Sequence, residues 1–308
     1  MQNKVLSKTF SKIILIGEHS VVYGEPAIAI PFHGTSLEVS IKKCDKNHLT
    51  CKFFDGNLEE TSEDLLGVKT LIEKFLEFYK IKEKICVKID SDIPNERGMG
   101  SSAASSVGVA RALFEYFEIS HDSNDIMEWA NISEKIIHGN PSGIDVNVVL
   151  HDKSIYYIKG QEIQLFPINL DAYLIIADTG IKGRTKEAVS DVRKLVESDE
   201  IYENYVKELG VLSQNAKKLI ENNQPAKLGE IMNQAHELLL KLTVSDCELD
   251  IMIDISMKNG ALGAKLTGGG RGGCMIALAE NIEIANKIKD SLEKIGKNVW
   301  ISSLKNEE

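Results

Sequence analysis

Two hydrophobic periods alternate along this chain, and each change of period marks an element. Ile85, Val87 and Ile89 alternate with Cys86, Lys88 and Asp90, the period-two pattern of a half-buried strand. From Ala103 the period lengthens: Ala103, Val107, Ala110 and Phe114 recur at helical spacing. The same spacing predicts a helix over 65–79, with Leu65, Val68, Leu71, Ile72, Phe75, Leu76 and Tyr79 on its inner face. A helix over 124–137 is expected to turn Met127, Ala130 and Ile137 inward, and another covers 185–196. Three helical stretches fill 200–258, broken at Asn222–Pro225 and Thr243–Asp246, and a last helix covers 283–295. Apolar runs predict strands at 13–16, 36–43, 154–158, 172–177 and 298–301, with two more flanking the glycines at 268–273. Residues 44–62 are polar, with a turn expected at Asp55-Gly56.

The chain is organised around the loop between the strand at 85–90 and the helix after it. The loop reads Pro94-Asn95-Glu96-Arg97-Gly98-Met99-Gly100-Ser101-Ser102-Ala103-Ala104. Pro94 ends the strand because it has no N–H for the ladder. Gly98 and Gly100 permit positive φ and close approach of a ligand. Ser101 or Ser102 is expected to cap the helix, whose N–H groups and dipole then face the loop. Together these make a cradle for phosphate. The loop is neither the G-x-x-x-x-G-K-[ST] loop nor a completed G-x-G-x-x-G. Taken alone it reads equally as a capped core helix behind a glycine turn.

Other polar groups stand where buried elements end. Lys12 immediately precedes the apolar run 13–16, and Glu18-His19 follows it; in isolation that pair reads first as a polar turn. The breaker Gly139-Asn140-Pro141 ends the helix carrying Glu134, and Ser142 is expected to cap a short helix carrying Asp145. Asp178-Thr179-Gly180-Ile181-Lys182-Gly183-Arg184-Thr185 is a loop that reads either as an anion holder or as a solvated turn. Lys265-Leu-Thr-Gly268-Gly269-Gly270-Arg271-Gly272-Gly273 has more glycines than a turn needs, which implies a backbone closely approached by something.

Composition narrows the class. The 308 residues suffice for two domains. A net charge of −10 without a basic block argues against a nucleic-acid partner. Cys44, Cys51, Cys86, Cys247 and Cys274 are odd in number, scattered and without C-x-x-C. They read as reduced thiols of a cytoplasmic protein, with Cys86 and Cys274 as buried fillers. No run has the length of a leader or a membrane span, so no membrane association is expected.

Three separated motifs then coincide. Lys12–Gly24, Pro94–Ala104 and Lys265–Gly273 resemble, in order, the three motifs of the GHMP superfamily of galactokinase, homoserine kinase, mevalonate kinase and phosphomevalonate kinase. Gly17-Glu-His-Ser-Val-Val-Tyr-Gly24 and Ile137-His-Gly-Asn-Pro-Ser-Gly-Ile-Asp145 are most similar to its mevalonate-phosphorylating branch; galactokinases carry an Asp where this chain has Val21-Val22. The resemblance spans nearly the whole chain.

It implies an α+β, two-domain fold: a ribosomal-protein-like α/β domain over 1–168 and a ferredoxin-like domain over 169–308, with ATP and substrate between them. The implied reaction is Mg-ATP with (R)-mevalonate, giving 5-phosphomevalonate and ADP. By resemblance, Arg97, Gly98, Met99, Gly100, Ser101, Ser102, Ala103 and Ala104 hold ATP, and Ser102 and Glu134 ligate Mg²⁺. Asp145 matches the base that accepts the C5 hydroxyl proton, and Lys12 the basic residue beside it. Glu18 and His19 match positions near mevalonate, with Thr179, Gly180 and Arg184 as weaker substrate or γ-phosphate contacts. Lys265, Gly268, Gly269 and Gly270 form the third motif, where the family often has Gly-Ala-Gly; one missing methyl is expected to be tolerated. A homodimer is the candidate assembly. The alternatives are another small-alcohol kinase of the superfamily, acting on phosphomevalonate or a sugar, and a non-catalytic sensor on the same fold.

Overall fold

The computed structural model describes residues 5–139 and 143–305. In chain order these form β1 (Val5–Ile16), β2 (Ala27–Cys44), β3 (His48–Cys51), β4 (Phe54–Asn57), α1 (Leu66–Phe78), β5 (Lys84–Ser91) and α2 (Ser101–Tyr116). Next come α3 (Ser123–His138), α4 (Ile144–His151), β6 (Ser154–Tyr157), β7 (Gln164–Phe166), β8 (Tyr173–Asp178), α5 (Thr185–Ser198), α6 (Glu200–Glu221) and α7 (Pro225–Lys241). The chain closes with α8 (Cys247–Lys258), β9 (Gly263–Thr267), β10 (Cys274–Ala279), α9 (Ile282–Glu293) and β11 (Asn298–Ser303). The elements gather into two units, neither of them a continuous run of sequence. One comprises residues up to 12, 35–93 and 100–152; the other comprises 13–34, 94–99 and the chain from 153 onward.

In the first unit, Leu37–Cys44 of β2 run antiparallel to β5, β3 lies parallel to β5, and β3 and β4 form a hairpin. Leu37, Val39 and Ile41 turn inward at alternate positions. Helix α2 rests on this face through Gly108, where a Cβ would lie 3.0 Å from Val39. Phe75 joins the helices to one another, its ring centroid 5.0 Å from those of both Phe114 and Trp129.

In the second unit, Ala27–Ala29 of β2 pair with β6, which pairs with β7. A separate antiparallel sheet runs in the order β11-β8-β10-β9. The crossover between β8 and β9 and that between β10 and β11 both carry helices, so this is the 4-1-3-2 arrangement of a ferredoxin-like sheet. Every residue of β9 and β10 is buried. Backbones meet where Gly229 of α7 faces Gly263 of β9, a contact with no room for a Cβ on either side. His236 of α7 is buried, 3.6 Å from Asp250, and burial lowers it from its ordinary 6.5 to about 4.

The structure corrects several expectations. Residues 44–62 contain the β3–β4 hairpin. Asp55 and Gly56 lie in β4 opposite Thr50 and Leu49, and the turn is Lys52-Phe53. Buried Leu49 and the bonds from Thr50 and His48 to Asp55 outweigh the polar composition. The strand expected at 36–43 is the end of a longer β2, and β7 was not expected. The inner stripe of α3 is Ile126, Trp129, Ala130 and Ser133; Met127 is half-buried and Ile137 exposed. Neither Ser101 nor Ser102 caps α2: both lie within its first turn, and the N-cap is Gly100 at φ 73°. The expected cap at Ser142 falls outside the described residues.

Cys44 and Cys86 are not reduced thiols. They form a disulfide with Cα atoms 5.6 Å apart. They sit diagonally across β2 and β5, because Cys44 faces Lys84 and Cys86 faces Lys42. The reduced-thiol argument for a cytoplasmic location therefore does not hold, and Cys86 is half-buried. Cys274 is the buried filler expected. Among the described residues no helix is long and apolar enough to cross a membrane.

The disulfide closes 42 residues of sequence, so its reduction should lower unfolding free energy by about 2–4 kcal/mol, read from urea unfolding with and without a thiol reductant. Unchanged midpoints would show that the bridge does not form in solution. His236 stays neutral in the fold while its unfolded counterpart charges, so its contribution to stability is lost as pH falls from 6.5 towards 4. Between pH 7 and 5, His236→Gln should therefore lose less stability than the parent by about 1–2 kcal/mol. Equal losses would show that burial does not hold the imidazole neutral.

Candidate active site

In the first unit, β1 carries Lys12 inward at 5% exposure, and its ammonium lies 2.9 Å from Oδ1 of Asp145 in the first turn of α4. Gly100 makes room for this lysine: a Cβ there would lie 2.6 Å from Lys12 Cγ, and φ is positive as well. The glycine that starts α2 thus sets both the helix entry and the path of the Lys12 side chain. No side chain caps α2. Its first-turn amides have no acceptor inside the helix and sit at the positive end of the dipole, the arrangement that favours an anion.

Ser102 and Ser106, one turn apart on α2, both donate to Glu134 of α3, at 3.5 and 3.3 Å. Glu134 is 2% exposed, and burial followed by the charge of Asp145 raises its carboxyl to about 7, against the pull of Ser102, Ser106 and Lys12. His138, one turn beyond Glu134, brings Nε2 within 3.2 Å of Ser102 Oγ. Sequence reading gave His138 no role, although the i, i+4 step from Glu134 places both on one helix face. Among the described residues no three His, Cys, Asp or Glu side chains gather as a metal cluster. The hydroxyl of Ser102 and the carboxylate of Glu134 are hard oxygen donors, which fit a cation that keeps waters and phosphate oxygens as its other ligands.

In the second unit, the glycine loop between β9 and β10 is approached closely by the protein itself. A Cβ at Gly269 would overlap the Thr185 side chain and lie 2.8 Å from its Cα. One at Gly270 would overlap the Val244 carbonyl, and one at Gly272 would lie 2.8 Å from that of Lys182. Arg271 fastens the loop by donating to Thr243 O at 3.1 Å and to Asp191 at 2.7 Å. The hydroxyl of Thr179 donates to Gly273 O at 2.7 Å. Asp178, which sequence reading passed over, accepts from Arg97 Nε and from Gly180 N, each at 2.9 Å. Arg97 also donates to Gly180 O at 3.0 Å, so its guanidinium already has protein partners. Arg184 is exposed at the N-cap of α5, 3.7 Å from Glu187. Glu18 and His19 are both buried; Glu18 pairs with Lys265, and His19 Nε2 lies 3.0 Å from Gly269 O.

Residues 67–153 match the GHMP kinases N terminal domain, and residues 216–298 the GHMP kinases C terminal. A mevalonate kinase of Pyrococcus abyssi is 34% identical over 94% of this chain and 93% of its own length. The chain belongs to the GHMP kinase family. Among solved structures, the mevalonate kinase of Staphylococcus aureus aligns with a TM-score of 0.79 at 32% identity, covering 98% of this chain and 99% of that one. That of Methanococcus jannaschii aligns with a TM-score of 0.86 at 26% identity, covering 99% of each. This GHMP kinase therefore has the α+β, two-domain fold its motifs imply.

One family position does not transfer. Where the family often has Ala in its third motif, this chain has Gly269, and the space a methyl would take is filled by Thr185. The missing methyl is a local fit to Thr185. Gly269→Ala should thus destabilise by about 1–3 kcal/mol through overpacking. Thermal melting checks this; an unchanged or raised midpoint would show that the loop has room.

Proposed function

We propose that this GHMP kinase transfers the γ-phosphoryl group of ATP to the C5 hydroxyl of (R)-mevalonate, giving (R)-5-phosphomevalonate and ADP, a step towards isoprenoid precursors. The observation that carries the chemistry is the 2.9 Å pair of Lys12 and Asp145. The substrate is supported by similarity to a mevalonate kinase at 34% identity over 94% of the chain and by the Gly17–Gly24 segment. A cytoplasmic location is supported by the need for ATP. Family matches at 67–153 and 216–298 fall on either side of the expected 168/169 division, whereas 13–34, 94–99 and 153–168 group with the C-terminal residues.

Phosphoryl transfer asks a protein chiefly for in-line positioning and for neutralisation of charge on the moving group. The start of α2, with Gly98, Gly100 and the amides of Ser101 to Ala103, is suited to the triphosphate; the amide of Ala104 already donates to Gly100 O at 2.9 Å. Ser102 and Glu134 would hold Mg²⁺, which when bound supplies positive charge to the phosphate oxygens. Asp145 accepts the hydrogen of the C5 hydroxyl and orients its oxygen for attack. Lys12 holds the carboxylate in place and offers its ammonium to the same oxygen as charge develops. By the family match Glu18 and His19 bind the substrate, with Thr179, Gly180 and Arg184 as weaker candidates for the substrate or the γ-phosphate. Arg97 acts by fixing the loop, since its guanidinium is taken up by Asp178 and Gly180.

An assay that couples ADP release to a readout, run with mevalonate, phosphomevalonate and galactose, tests the substrate. Turnover is expected with mevalonate; turnover of either other alcohol in its place would overturn the assignment. Asp145→Ala should lower kcat by about 10²–10⁴-fold while the affinity for an ATP analogue changes by less than about threefold. Wild-type kcat in that variant would remove Asp145 from the reaction.

A further inference from the structure

Glu18 and Lys265 form the most deeply buried ion pair among the described residues, their side chains 1% and 0% exposed. Lys265 lies in the middle of β9, opposite Ile276 of β10, 247 residues from its partner. Its ammonium donates to Oε1 of Glu18 and, at 2.6 Å, to Leu266 O. Two further bonds tie this end of β9 to the first motif. The Thr267 hydroxyl donates to Ile14 O at 2.8 Å, and Gly269 O lies 3.0 Å from Nε2 of His19. The segment between is held in a narrow conformation. Gly17 has φ 102° with no room for a Cβ against Ala27, and His19 itself has φ 62°, which a non-glycine residue rarely adopts.

A buried ion pair adds little stability over apolar residues of the same volume, and an unpaired polar atom beside it is a further cost. Here two such atoms are left. Oε2 of Glu18 and Nδ1 of His19 are both buried without a protein partner. The carbonyl of Gly269 can only accept, so Nε2 of His19 carries the proton and Nδ1 is an acceptor. Burial lowers His19 to about 4, which keeps the ring neutral in that tautomer near pH 7. Both orphaned atoms are therefore acceptors and suit a donor such as a hydroxyl. Burial pushes the Glu18 carboxyl up and the Lys265 ammonium down, and the largest influence opposing each shift is the charge of the other. Backbone N–H groups of Glu18 and Gly268 also favour the carboxylate, and Lys265 supplies its counter-charge and its one side-chain hydrogen bond.

We propose that Lys265 is a positioning residue for the alcohol substrate: it clamps Oε1 of Glu18 against β9, so that Oε2, together with Nδ1 of His19, is offered to a substrate hydroxyl. The third motif thereby acts on the substrate through the first. This rests on the reading above that Glu18 and His19 bind substrate.

Steady-state kinetics and thermal melting of Lys265→Met, Glu18→Gln and the double variant test it. Lys265→Met should raise the KM for mevalonate about tenfold or more and leave that for ATP within about twofold. It should also melt early, because Glu18 is left buried without its counter-charge. The double variant removes both charges and should regain melting temperature while its KM for mevalonate stays raised. Should Lys265→Met not fold, the double variant carries the test. A double variant that recovers both melting temperature and KM would reduce Lys265 to a structural role and overturn the proposal. A raised KM in Glu18→Gln with a normal one in Lys265→Met would overturn it while leaving Glu18 as a substrate residue. A normal KM in Glu18→Gln would remove that underlying reading and the proposal with it. If the wild type turns over another alcohol, the same comparison is made with that alcohol.

Discussion

Lys12 is 5% exposed, and an ammonium so far from water needs a counter-charge close by. Asp145 supplies it at 2.9 Å, and much of the first unit is arranged to keep the two together. Strand β1 must deliver the lysine inward. Helix α4 must start where its first turn meets that lysine. Gly100 must lack a side chain so that the methylene stem can pass, and that same glycine opens α2 without a side-chain cap. An ion pair and an anion-favouring helix end are therefore built from one local solution, not two.

Glu134 extends the same logic. Its carboxylate is buried near the charge of Asp145, a placement that is unfavourable unless positive charge or hydrogen bonds compensate. Lys12, Ser102 and Ser106 compensate in part. In the second unit a different economy applies. The glycines of the β9–β10 loop are surrounded by Thr185, Val244 and the carbonyls of Ile181 and Lys182, so backbone packs on backbone. Lys265 of β9 pairs with Glu18, Gly269 of the loop meets His19, and Arg271 ties the loop to α5.

Much of this was legible in the sequence because it is local. Helical periodicity located α1 to α3 and α5 to α9 to within a few residues. The glycine-serine loop before α2 and the Lys12 and Asp145 positions were marked by motifs with fixed order. What was not legible depends on contacts between distant positions. Asp178 and Arg97 are 81 residues apart, and nothing near either announces the pair. Cys44 and Cys86 meet only because β2 and β5 pair in one register. The glycines at 268–273 announced a close approach, but not that its partner is Thr185 and Val244. The β3–β4 hairpin was hidden by polar composition, since Leu49 is the one buried side chain of its two strands.

The central claim is that Lys12 and Asp145 act on the reacting hydroxyl as one unit, and a double-mutant cycle on kcat measures this directly. With Lys12→Met, Asp145→Asn and the double variant, the account predicts strong non-additivity: the double variant should be slower than the slower single variant by no more than about threefold. Losses that multiply would mean that the two side chains contribute independently, and would contradict a shared role at the hydroxyl.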